Sequence, residues 1–139
     1  MEVDFAFLAD AAEAVNGKVH VVGGAFDTIW TAQVPINHPK LSFVLRLEFD
    51  AAEMGVKHKL DIRIMDEDGN NVQTIGGEIT VGEKSPQLPK GWRQGWLTVL
   101  NFANLKFSKF GDYSFNVVIN NSNRKSVHLR IAQAVQIQS

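Results

Sequence analysis

The chain has no cysteine among its 139 residues. That absence removes disulfides, thiolate zinc sites, iron–sulfur clusters and cysteine nucleophiles together, and it points to a reducing cytoplasm. Long apolar runs are also lacking, so no membrane span is predicted. The first ten residues, MEVDFAFLAD, place acids at Glu2 and Asp4 where a secretory leader would carry basic residues, and they read as a strand. Net charge is only -1 and the pI is about 6.4, which gives nucleic acid no general electrostatic pull. There is no G-x-S-x-G elbow for a serine nucleophile. Of His20, His38, His58 and His128, none stands at metal-ligand spacing with another ligand on one element. Paired carboxylates for glycoside chemistry would meet only in space, and nothing in the sequence points to them. The expectation is a protein without a catalytic constellation and without a cofactor.

What the chain does have is strand rhythm. Hydrophobic content of 45% and nine Phe are enough for one domain, residues 1–139, with its own core. Val3, Phe5 and Phe7 alternate with Asp4 and Ala6, and Asn16-Gly17 is a strong hairpin dipeptide before Val19 and Val21. Ala9 to Val15 is alanine-rich but short for a helix, so strand–turn–strand is preferred. Gly23-Gly24 predicts a bulge or corner, and Pro35 and Pro39 predict a loop, VPINHP. Leu41, Phe43, Leu45, Leu47 and Phe49 then mark a core strand. A single turn ending at Gly55 follows, and His58, Leu60, Ile62 and Ile64 alternate up to an Asp68-Gly69 turn. Weaker strands are expected at Val72 to Thr74 and at Glu78 to Val81. Trp96 to Phe102 is read as another strand, and Leu105 to Ile131 as a hairpin turning over Asn120 to Lys125. Val135 and Ile137 are candidates to extend an edge. Seven to nine short strands with little helix predict an all-β, two-sheet antiparallel β-sandwich.

Charge is divided unevenly. Residues 1–83 hold 6 Lys/Arg against 14 Asp/Glu, whereas residues 84–139 hold 8 Lys/Arg against Asp112 alone. Such asymmetry marks either a basic surface for an anionic partner or acidic and basic strands that pair with each other, and the second is preferred.

Three stretches attract functional readings. Residues 82–94, GEKSPQLPKGWRQ, form the longest aperiodic segment, and such loops are often functional in compact domains. Lys84, Lys90, Trp92, Arg93 and Trp96 are the candidate partner-binding residues: flat rings with a cationic rim suited to a protein or a sugar. Trp96 is expected to anchor the loop to the core and Trp92 to be exposed, with Trp30 a possible neighbour. Asp66-Glu67-Asp68-Gly69-Asn70 is the candidate cation site and is similar to the third calcium loop of C2 domains. Calcium would need a second acidic loop, such as Asp27 or Asp50, whereas a metal-free Asp-Gly turn explains the same residues. Gly23-Gly24 fits no glycine-rich nucleotide motif.

Phe110-Gly111-Asp112-Tyr113-Ser114-Phe115 resembles the tyrosine corner of immunoglobulin-type sandwiches, with Phe115 where antibody domains carry cysteine and Lys109 where such corners often carry Asp. The resemblance implies an immunoglobulin-like arrangement. The whole chain resembles a family of short bacterial proteins of unknown function, through FLAD at Phe7 to Asp10, NGKVHVVGGAFDTIW at Asn16 to Trp30, and FGDYSF. That likeness implies a bacterial or phage-associated soluble sandwich and carries no activity. The expected function is a non-enzymatic binding or assembly module, with contacts through residues 82–96 or an edge strand. The expected partner is protein, including a second copy as a homodimer. The alternative is a small-ligand domain with carbohydrate on Trp92 and Trp96 or calcium at Asp66 to Asn70.

Overall fold

The central strand of the molecule is β4, Ile36–Phe49, whose alternation buries Leu41, Phe43, Leu45, Leu47 and Phe49 completely. A computed structural model of the chain describes residues 1–82 and 88–135. Around β4 are arranged β1 (Glu2–Val15), β2 (Lys18–Gly24), β3 (Thr28–Thr31), β5 (Lys57–Asp66), β6 (Asn71–Thr80), β7 (Gln94–Phe107), β8 (Gly111–Ile119) and β9 (Ser122–Gln133). Among the described residues the helical content is one 3-10 turn, Ala51–Glu53, followed by Gly55 at φ 71° as expected. Four strands form one sheet in the order β2-β1-β4-β7, and five form the other in the order β3-β9-β8-β5-β6. The protein is an all-β sandwich. Among the described residues all pairings are antiparallel except that of β3, which runs parallel to β9, so the predicted wholly antiparallel arrangement is corrected at that edge.

Between the sheets lies a core built from alternate residues of both. Phe115 of β8 stacks on Phe43 of β4 at 5.8 Å and meets Phe102 of β7 edge-on at 5.8 Å. Phe107 and Tyr113 meet edge-on at 4.9 Å. Offset and edge-to-face contacts suit the ring quadrupoles and add about 0.5–1.5 kcal/mol per pair beyond burial. Ile62 and Ile64 from β5 and Leu129 and Ile131 from β9 fill the remaining space.

Local chemistry explains the joints. Asn16 and Gly17 have φ of 51° and 72°, and Asn120 and Asn121 have φ of 49° and 66°. Both pairs make two-residue turns of the type whose twist matches that of the strands they join. The second turn is therefore tighter than the predicted run Asn120 to Lys125, and Ser122 to Lys125 already belong to β9. Leu105 to Phe107 are not part of that hairpin either. They end β7 in the opposite sheet, so the predicted unit is split, with β7 crossing over to β8.

Three further expectations change. The VPINHP loop is mostly strand, because β4 starts at Ile36 and passes through Pro39. The β1–β4 ladder stops at Ala9–Ser42 and the β4–β7 ladder skips Pro39 between His38–Leu105 and Lys40–Ala103, so among the described residues Pro39 has no ladder partner on either side and its missing N–H costs the sheet little. Val72 to Thr80 is one strand, β6, and not two weak ones. Val135 stands outside any strand and is 84% exposed, while Ile137 lies outside the described residues.

Charge pairing across the uneven halves is seen at several points. Arg93 reaches Glu2 at 2.6 Å and Asp50 at 2.9 Å, and Lys109 reaches Asp66 at 3.5 Å and also contacts Asp68.

Candidate functional site

β6 is the outer strand of the five-stranded sheet, and β7 is the outer strand of the four-stranded one on the same side of the sandwich. Between them the core is left open as a cleft of about 200 Å³, lined by Leu60, Ile62, Ile75, Ile79, Trp96 and Leu100. The ladder places Gly77 opposite Leu60 and Gly76 opposite Asp61. Gly77 therefore faces the same way as the buried Leu60, toward the cleft, and a Cβ built there meets nothing within 4 Å. A Cβ on Gly76 would fall 1.9 Å from Asp61 Oδ1, so that glycine is required by the carboxylate lying over it. Glycine in a strand interior gives up side-chain packing and conformational entropy, and it is found where another backbone or a ligand comes close.

On the outer face beside the same glycines is a second depression, of about 540 Å³, with charged residues in its lining. Its charges come from Lys57, Lys59, Asp61 and Glu78. The Asp61 carboxylate is almost covered and is held by Arg63 at 3.3 Å and Lys59 at 3.8 Å. The edge strand β6 thus has an apolar hollow on one side and a charged one on the other. That is the pattern an added strand with alternating apolar and polar residues would match.

His58, also at this end, has both ring nitrogens occupied. Asn120 Nδ2 donates to Nδ1 at 3.1 Å and Nε2 donates to the Glu53 carbonyl at 2.8 Å, while Asn120 Oδ1 accepts from the Lys59 amide at 2.9 Å. With its ring nitrogens so engaged, His58 joins the β8–β9 turn to β5. Among the described residues no three His, Asp or Glu side chains form a group that would hold a metal ion.

The candidates from the 82–96 segment are dispersed. Trp96 is half-buried against the core in the cleft, as expected, and Trp92 is 62% exposed, also as expected. Lys90 is exposed, and Lys84 lies outside the described residues. Arg93 does not stand in a free cationic rim. Its guanidinium is bonded to Glu2 and Asp50 and lies 3.9 Å from Glu48, and those hydrogen bonds hold it protonated even more firmly than usual. It clasps the start of β7 to β1 and β4. Trp30 sits on β3, at the far edge of the other sheet, and is remote from the cleft. Its ring is 68% exposed.

At the Asp66 to Asn70 turn the acids serve the turn itself. Asp66 Oδ1 accepts from the amides of Asp68 and Asn70, each at 2.9 Å, and Oδ2 accepts from Asn70 Nδ2 at 3.2 Å. Burial alone would raise the Asp66 carboxyl, but these bonds and nearby Lys109 outweigh it and hold it below its ordinary value. The Lys109 ammonium sits against Asp66 and Asp68 and pairs with their carboxylates. Asp50, one of the suggested second-loop ligands, is engaged with Arg93.

The residues missed from sequence were Ile75, Gly76, Gly77 and Ile79. The available signal was the glycine pair lying between the two weak strands expected at Val72 to Thr74 and at Glu78 to Val81, since glycine inside a strand pattern marks a bulge or a close backbone approach.

No curated protein matches the chain. The model of one protein family, DUF6941, described as a family of unknown function, matches residues 4–132. That span takes in every strand but the ends of β1 and β9, and it includes the β6–β7 cleft. The chain therefore belongs to the DUF6941 family.

Proposed function

We propose that the protein is a non-enzymatic binding or assembly module that accepts an extended segment of a partner protein along β6. The observation that carries this reading is the Gly76-Gly77 pair on an edge strand beside an apolar cleft containing Trp96. An edge strand has a row of N–H and C=O groups not used by its own sheet, and a partner strand takes them up through main-chain bonds. Alternate apolar side chains of that strand would enter the cleft against Ile75, Ile79 and Trp96. Specificity would come from the side chains that face Lys57, Lys59 and Glu78. Trp92 and Lys90 flank the entry to β7 and serve as secondary contacts.

A cytoplasmic location agrees with the absence of cysteine, and no helix among the described residues is long and apolar enough to cross a membrane. An immunoglobulin-like relationship is supported by Tyr113, whose hydroxyl ties back to Lys109 as in a tyrosine corner. A bacterial origin follows only from the likeness noted in the sequence. Carbohydrate on Trp92 is the competing reading, supported by that ring's exposure alone.

The test uses protein with Trp30→Phe and Trp92→Phe, so that Trp96 is the sole indole. Ten-residue peptides with Val or Ile at alternate positions and scrambled controls are titrated against it by fluorescence, and the same peptides, a glycan panel and calcium are titrated by calorimetry against the native chain, which keeps Trp92. Saturable Trp96 shifts with the alternating peptides, lost in Gly77→Val, are the expected result. Heat from a glycan or from calcium, with no peptide response, would replace this reading.

A further inference from the structure

The opposite edge of the molecule has different properties. β2 is the outer strand of the four-stranded sheet, and β1 continues beside it beyond Ala9, where its ladder with β4 ends. Residues 10–24 are thus a two-stranded ribbon, and such ribbons are marginal in water without a third strand. The ribbon is apolar for an exposed element: Val15, Val21 and Val22 are 40%, 37% and 70% exposed. β2 has no proline and, after Lys18 at its first position, no Lys, Arg, Asp or Glu, so most of the usual means of blunting an edge are missing from it.

The turn fixes which backbone groups are free. In a two-residue hairpin, the flanking pair, here Val15–Lys18, exchanges both backbone bonds, and bonded pairs then recur at every second position, at Glu13–His20 and Ala11–Val22. The N–H and C=O of Val19 and Val21 consequently point outward, away from β1. A second β2 laid antiparallel about a two-fold axis at His20 puts Val19 opposite Val21′ and Val21 opposite Val19′, where each pair exchanges both bonds. In the same register Val22 lies opposite Lys18′, whose aliphatic stem covers the valine while its ammonium stays in water. Glu13, the cross-strand neighbour of His20, stands one place further out in each copy, and no Lys, Arg, Asp or Glu of β2 lies directly opposite a residue of its own sign.

We infer that β2 is a self-association edge, and that two copies of this chain join their four-stranded sheets through it. This is independent of the β6 cleft, which lies at the other edge of the sandwich and remains open in both copies. Such a dimer would offer two β6 edges to a partner that carries repeated segments.

The absence of native cysteine makes the test clean. In the proposed register the residue-20 Cβ atoms are opposed in a non-hydrogen-bonded pair, at about 4.5–5.5 Å, close to the reach of a disulfide. His20→Cys should therefore form a disulfide-linked dimer under mild oxidation, and Val22→Cys should not. By light scattering at micromolar concentration, the native chain should show twice its 15.4 kDa mass. Val22→Lys, which sets ammonium groups opposite each other at both ends of the pairing, should weaken the dimer at least tenfold. Adding Lys18→Glu should restore it. Circular dichroism and thermal melting of each variant verify that the sandwich persists. A monomeric native chain at about 100 μM would overturn the inference. So would a dimer that is indifferent to Val22→Lys and does not cross-link through His20→Cys.

Discussion

Replacing Tyr113 tests the joint between the two sheets most sharply. Its ring is 3% exposed and lies edge-on to Phe107 at 4.9 Å. Its hydroxyl donates to the Lys109 carbonyl at 2.7 Å and accepts from the Lys109 amide at 3.3 Å. Tyr113→Phe keeps the ring and removes only the oxygen, leaving both backbone groups without that partner. A net hydrogen bond contributes about 0.5–1.5 kcal/mol, and a fully stranded buried group costs about 1–3 kcal/mol. Lys109 is half-exposed, so water recovers part of the loss and a cost of about 1.5 kcal/mol is expected. Tyr113→Ala removes the buried ring as well, which adds about 3–5 kcal/mol for a large aromatic. Urea unfolding followed by tryptophan fluorescence reads both variants, and at about 4 °C per kcal/mol the Phe variant should melt roughly 6 °C lower. A Tyr113→Phe variant within about 0.5 kcal/mol of the native protein, the range of an ordinary surface change, would refute the role assigned to the hydroxyl.

Gly77→Val places a branched side chain in open space on a strand and should leave stability unchanged or raise it, whereas Gly76→Val drives its Cβ into the Asp61 carboxylate and should cost about 1–3 kcal/mol, both read by thermal melting. The Asp66 carboxyl is depressed in the folded state, so its contribution is complete above its unfolded value of about 3.9 and is lost as pH falls through that value toward the folded one. Asp66→Asn should accordingly flatten the acid limb of a stability–pH curve below about pH 4, and an unchanged limb would count against the turn network. Lys109 is raised by its bonds to Asp68 and Asp66, so the stability it contributes should persist through neutral pH and fall only as pH rises through its folded value, above about 10.4. Acrylamide should quench Trp30 and Trp92 strongly and Trp96 weakly in single-tryptophan variants; equal quenching of all three would contradict the placement of Trp96 in the cleft.

The sandwich was legible because its core strands announce themselves one residue in two. Leu41 to Phe49 and Tyr113 to Ile119 could hardly be anything else, and Asn16-Gly17 and Asn120-Asn121 carry the residues that tolerate positive φ. What failed were features decided by neighbours. Pro39 reads as a breaker, but it is tolerated because β1 has stopped pairing at that level. Leu105 to Phe107 share the rhythm of the hairpin after them, and only the sheet assignment puts them in the other layer. Arg93 looks like a binding cation in a list of residues, and it becomes a clasp once Glu2 and Asp50 are brought to it from distant positions. The cleft was invisible for the same reason: Ile75 and Ile79 are separated from Trp96 and Leu100 by a long connection, and what joins them is the shared open side of the sandwich.

Amide hydrogen exchange on the peptide-bound protein tests the β6 proposal most directly. At a peptide concentration a hundredfold above Kd, binding that requires β6 should protect the amides of residues 71–80 by up to about a hundredfold, with Trp96 shifted and residues 18–24 unaffected. The same peptide should leave Gly77→Val unprotected. Protection confined to another edge, or undiminished in Gly77→Val, would contradict the assignment of β6 and its cleft as the place where this protein receives its partner.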